Sequence, residues 1–124
     1  MTHIELEWMQ GAFAVCRLAS DTPLPEWADA SCGFISITRT DRELSIITLQ
    51  ERVPEDVRAE RGWRAMRIAG TLDFSLVGII ARLTDQFARE RIPVFVISTF
   101  DTDILLVKQG DAERAGRVLG VREA

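Results

Sequence analysis

Residues 76–107 read LVGIIARLTDQFARERIPVFVISTFDTDILLV, and the order of elements in this stretch decides the fold. Leu76, Ile79, Ile80, Leu83 and Phe87 recur at the i, i+3, i+4, i+7 spacing, while Arg82, Asp85, Gln86, Arg89 and Glu90 take the other face. That pattern predicts an amphipathic helix beginning near Leu76. Asp73 or Ser75 stands where a side-chain oxygen can cap its first amides. Pro93 ends the helix, because the residue before a proline is excluded from the α region. Residues 93–99 are apolar on both faces and rich in β-branched types, which predicts a central strand covered on both sides. A polar turn follows at 100–103, then a strand at 104–108. A short helix comes next, capped by Asp111, with Ala112, Ala115, Val118 and Leu119 on one side.

Upstream, 63–69 reads as a strand ending at Gly70, so the order from Trp63 onward is β-α-β-β-α. Only 121–124 remains for a closing strand. The second half is therefore expected to borrow one from the first half or from another subunit. The first half is less regular. A strand is expected at 13–18, a loop with one helical turn at 23–28, a hairpin from 33–39 and 43–49, and a short helix within 54–62. Residues 4–8 add an edge strand. Residues 37–44 align without gaps to 97–104, each running from a strand through an acidic polar turn into a second strand. This repeat predicts a duplicated architecture with halves at 1–62 and 63–124.

These elements resemble the ACT domain, the βαββαβ module of the ferredoxin-like kind. They resemble more closely the tandem ACT-like proteins related to the CASTOR arginine sensors and to aspartokinase regulatory domains. The resemblance is carried by 63–70 (WRAMRIAG), 72–80 (LDFSLVGII) and 92–107 (IPVFVISTFDTDILLV), with the ISTFDTD stretch at 97–103 as its most specific part. Gly78 departs from the usual pattern, in which the glycine follows a proline in the loop before the first helix. The resemblance implies an α+β, ferredoxin-like protein of two ACT-like halves around antiparallel sheet. It also implies a regulatory role through binding of an amino acid, where the first strand–helix loop of one module faces another module. The positions it points to are Asp73, Phe74, Ser75, Val77, Gly78 and Ile79, with Thr99, Phe100, Asp101, Thr102 and Asp103 at the strand end.

The chemistry of these residues agrees with that ligand. The amides opening a helix, with the positive end of its dipole, suit a carboxylate. Asp101 and Asp103 can accept hydrogen bonds from an ammonium group, and in an extended segment they point the same way. Each has a plainer reading beside it. Asp73 or Ser75 is a helix cap, Gly78 allows close helix–sheet packing, Phe74 and Phe100 are core or interface, and the two aspartates decorate a solvated turn. Trp27 and Trp63 read as core or interface.

Composition narrows the alternatives. A chain of 124 residues with 47% apolar content can bury a core without a metal or disulfide. The net charge of −4 argues against a nucleic-acid partner, which requires clustered cations. Lys108 is the single lysine among 15 basic residues, and arginine favours planar contacts where genome composition does not already explain it. Cys16 and Cys32 form no C-x-x-C pair, and Cys16 lies in an apolar strand as a small hydrophobe. Residues 1–9 lack a secretory core, and no apolar run reaches the roughly 18 residues that a membrane span needs. A cytoplasmic location with reduced thiols is expected.

His3 is the single histidine, and no nucleophile–base pair, phosphate loop or zinc-type cluster is present, so neither catalysis, a cofactor nor a metal is expected. A homodimer is expected, to cover apolar surface and the unfinished sheet edge. The competing function is an interaction or oligomerisation module that has lost ligand binding.

Overall fold

The computed structural model describes residues 4–29, 33–69 and 78–123. Its strands are β1 (Leu6–Trp8), β2 (Phe13–Leu18), β3 (Ser36–Arg39), β4 (Leu44–Leu49), β5 (Ala59–Ile68), β6 (Phe95–Ser98) and β7 (Asp103–Lys108). The helices are α1 (Ile79–Arg89) and α2 (Gln109–Leu119). The chain divides into two compact units, Gly11–Trp63 and Met1–Gln10 with Arg64–Ala124. The residues of β5 fall partly in each.

In the second of these units the strands lie in the order β1-β5-β7-β6, with β1 antiparallel to β5 and β6 antiparallel to β7. This is an α+β, ferredoxin-like arrangement in which β1 lies beside β5 on the side away from β7. Leu6 faces Ile68 and Trp8 faces Met66 across the ladder. The alternation of a strand sends Leu6, Trp8, Met66, Ile68, Leu105 and Val107 into one core with Ile79, Leu83 and Phe87 of α1 and Ala112 and Ala115 of α2. The chain end lies along the outer side of β1: Trp8 N–H donates to Arg122 O (2.7 Å) and Arg122 N–H to Leu6 O (2.8 Å). Glu7 adds ion pairs to Arg67 (2.8 Å) and Arg122 (3.7 Å). Trp8 is only 5% exposed, with the Arg64 guanidinium 4.8 Å from its ring centroid.

Several details differ from the sequence reading. Helix α1 begins at Ile79, not near Leu76, because Gly78 takes the cap position at φ +82°, a left-handed conformation outside the helix. The cap of α2 is Lys108, and Asp111 lies inside its first turn. The strand expected to be central, now β6, is an edge strand paired among the described residues to β7 alone, and Phe95 on it is exposed. The doubly covered strand is β7, where Leu105, Leu106 and Val107 are fully buried. Edge placement follows from the ladder order, which apolar content does not specify.

In Gly11–Trp63 the order is β3-β4-β2-β5, again antiparallel where β2 meets β4 and β5 and where β3 meets β4. Ala14, Cys16, Leu44, Ile46 and Val53 form its core, with Trp27, Ile35 and Val57 packed on them. No α-helix occurs among its described residues, and the helix expected within 54–62 is a turn at Pro54 followed by the start of β5. Arginines secure the irregular segments. Arg52 donates to Asp29 O (3.0 Å), Arg61 to Pro54 O (2.9 Å), and Arg39 to Ser20 O and to Thr22 O (2.9 Å).

The two hairpins share one turn geometry. Thr40 N–H donates to Glu43 O (2.9 Å), and Thr99 N–H donates to Thr102 O (2.8 Å). The repeat therefore aligns Thr40 with Thr99, one residue off the gapless match of 37–44 to 97–104. That match followed the acidic residues, whereas the threonine that closes the turn sets the register.

Both helices end in the same hydrogen-bonded reversal. In α2, Gly120 (φ +65°) precedes Val121, whose N–H donates to Gly116 O (3.1 Å). In α1, Arg91 holds that left-handed position at φ +57°, and Ile92 N–H donates to Phe87 O (2.9 Å). Replacing Arg91 by Gly should thus raise stability by about 1 kcal/mol in urea unfolding, since the arginine bears a Cβ penalty there. Trp8→Ala should cost about 3–5 kcal/mol in the same assay. A loss near zero would remove β1 from the core.

Candidate functional site

The turn between β6 and β7 is the best-defined part of the expected site. Thr99 anchors it: its Oγ1 donates to Thr102 O (3.0 Å) and accepts the Thr102 N–H (3.1 Å). Phe100 and Asp101 form the tip, and Phe100 is 81% exposed. Thr102 Oγ1 donates to Ile68 O (3.3 Å), tying the turn to the end of β5. From that end the chain runs on to Gly78 and α1. Asp103 opens β7, where it pairs across the ladder with Ser98, and Ser98 Oγ donates to Asp103 Oδ1 (2.6 Å).

Asp101 and Asp103 thus hold different positions. Asp101 sits in the turn and Asp103 on the strand, so the strand alternation expected to align them does not run through both. Ser98 was not among the expected site residues. Its signal was the register of the hairpin, since a four-residue turn at 99–102 makes 98 and 103 cross-strand partners.

Among the strand–helix loop residues, Asp73, Phe74, Ser75 and Val77 lie outside the described residues. Gly78 is exposed, and a Cβ there would meet no described atom within 4 Å, so close helix–sheet packing is not its reason. Its conformation is. As a cap without a side chain it makes no capping hydrogen bond, and no acidic side chain stands in the first turn of α1. The helical ladder opens with the bond from Arg82 N–H to Gly78 O (2.9 Å), so the amides of Ile79, Ile80 and Ala81 precede it. The Ile79 side chain is buried in the core, leaving its amide as the part available at this end.

Among the described residues no group of three His, Cys, Asp or Glu side chains is arranged to hold a metal ion. No helix among them is long and apolar enough to cross a membrane.

A family model described as the ACT domain matches residues 58–120. The chain belongs to the ACT domain family. ACT domains are regulatory modules, and the matched span holds β5, α1, β6, β7 and α2. A second model, described as an N-terminal domain, matches residues 11–56. A protein of Agobacterium tumefaciens known from an X-ray crystal structure is 38% identical with a TM-score of 0.90, over 100% of this chain and 94% of that one. A Vibrio cholerae protein described as of unknown function and a possible transport protein is 20% identical, with a TM-score of 0.77, over 95% of this chain and 88% of that one. The aspartate kinase of Clostridium acetobutylicum, described as an allosteric enzyme, is 12% identical with a TM-score of 0.65. That match covers 94% of this ACT protein and 33% of the kinase. The last two likenesses are of fold. No curated protein matches the chain.

Cys16, the thiol nearest to a nucleophile in type, is buried in the first unit. Burial pushes its pKa above the ordinary value, outweighing the opposite pull of Arg61. A protonated, enclosed thiol is a poor nucleophile. Iodoacetamide at neutral pH should therefore label Cys16 only after unfolding, as peptide mass mapping of native and urea-treated protein can show.

Proposed function

We propose that this ACT protein is a non-catalytic regulatory module that binds a free amino acid at the turn end of β5 and β7. The carrying observation is the Thr102–Ile68 hydrogen bond, which fixes the turn to the strand that feeds α1. Asp103, held by Ser98, offers a carboxylate to the ligand's ammonium group, with Asp101 beside it in sequence. The opening amides of α1, with no side-chain cap on Gly78 and no acidic residue in the first turn, suit the ligand's carboxylate. Thr99 holds the turn in shape, and Asp73, Phe74, Ser75 and Val77 stay in the proposed ligand set through the family resemblance alone. Occupancy is transmitted to a partner if the ligand binds one arrangement of the protein more tightly than another.

A second reading, an interaction module without a ligand, is favoured by the exposed Phe100 at the turn tip and by the outer edge of β6. That edge can accept a strand from a second copy, giving a homodimer.

Thermal-shift screening against the twenty amino acids separates the two. One of them at 100 times its dissociation constant should stabilise the protein by about 2.7 kcal/mol. Asp103→Asn should abolish the shift while leaving the ligand-free melting temperature within a few degrees. No shift with any amino acid, together with a constant oligomer in light scattering, supports the second reading.

A further inference from the structure

We propose that Arg39 shuts the counterpart of this site in Gly11–Trp63, so that each chain holds one ligand and not two. The ligand itself rests on the reading above, but the closure rests on the hairpin register. Arg39 pairs with Leu44 across β3 and β4, and Ser98 pairs with Asp103 across β6 and β7. In both hairpins the next residue is the threonine that closes the turn. Thr40 Oγ1 accepts the N–H of Arg42 (3.1 Å) and Glu43 (3.2 Å), as Thr99 Oγ1 accepts that of Thr102 (3.1 Å). Arg39 therefore stands where Ser98 stands, and Leu44 where Asp103 stands.

The exchange of residue types reverses the chemistry. The second turn presents a hydroxyl and a carboxylate, which receive a cation. At the same two places the first turn has a guanidinium and a fully buried leucine. The Arg39 guanidinium donates to Ser20 O and to Thr22 O (2.9 Å), both on the segment leaving β2. That segment is the counterpart of the one leaving β5, which runs to Gly78. A planar fork of N–H donors spanning two carbonyls holds the segment against the hairpin. The protein's own cation thus fills the place of the ligand's, and the carboxylate that would bind a ligand is missing.

Two measurements test this. Calorimetric titration with the amino acid giving the largest thermal shift should return one site per chain, and Asp103→Asn should leave none. Two sites per chain, or a residual class of sites in Asp103→Asn, overturns the proposal. Hydrogen exchange on the ligand-free protein needs no ligand. Peptides covering 17–29 should exchange roughly tenfold faster in Arg39→Ala than in wild type, for loss of two charge-assisted bonds. Peptides covering 103–119 should stay unchanged, showing that the variant is folded. Equal exchange of 17–29 in both proteins overturns the closure. A silent amino-acid screen with faster exchange in Arg39→Ala fails the functional reading alone.

Discussion

The pairing of β1 with β5 is the constraint on which the ACT unit depends. Without it the edge of β5 would present unpaired amides and carbonyls, and the core under α1 and α2 would lose Leu6 and Trp8 from its floor. The three residues of β1 are enough because each does a separate job. Leu6 and Trp8 enter the core, and Glu7 faces the other way to meet Arg67 and Arg122. The ion pairs are exposed and contribute little, so the burial of Leu6 and Trp8 stabilises the pairing more than they do. A strand that begins the chain thereby completes a module built mainly from its second half, and the chain's own end then lies against that strand.

The two units show two ways of satisfying backbone that leaves a sheet. In the ACT unit, helices absorb their own amides and carbonyls, and each closes with the same reversal at its C-terminus. In Gly11–Trp63 the corresponding segments are irregular, and their carbonyls are met by Arg39, Arg52 and Arg61. A guanidinium carries five donors in a fixed plane, whereas an ammonium offers a point charge on a flexible stem. This gives the arginine-rich composition a structural use beyond planar contacts with carboxylates.

Much of this was legible in the residues. The 3.6-residue stripe of α1, the break at Pro93 and the hairpin of 33–39 and 43–49 are local signals, governed by neighbours a few residues away. The ACT-like order of elements followed from them. The site was legible in part: Thr99, Asp101 and Asp103 could be singled out by type, but their roles could not. The gapless repeat followed acidic residues and missed the register by one position, and Ser98 became visible only as the cross-strand partner of Asp103.

The sequence by itself determined most of the strands and helices, though not the stretch 54–62 that it read as helix, and it determined that two similar hairpins occur. Tertiary structure decided which strand sits at an edge, that β7 and not β6 is buried on both sides, and that β1 pairs with β5 from a distant part of the chain. It also decided that Gly78 is a cap and not part of a helix. The physical reason is range. Propensity and periodicity act over one or two turns of chain, whereas strand order is fixed by which apolar faces, dozens of residues apart, can be buried together.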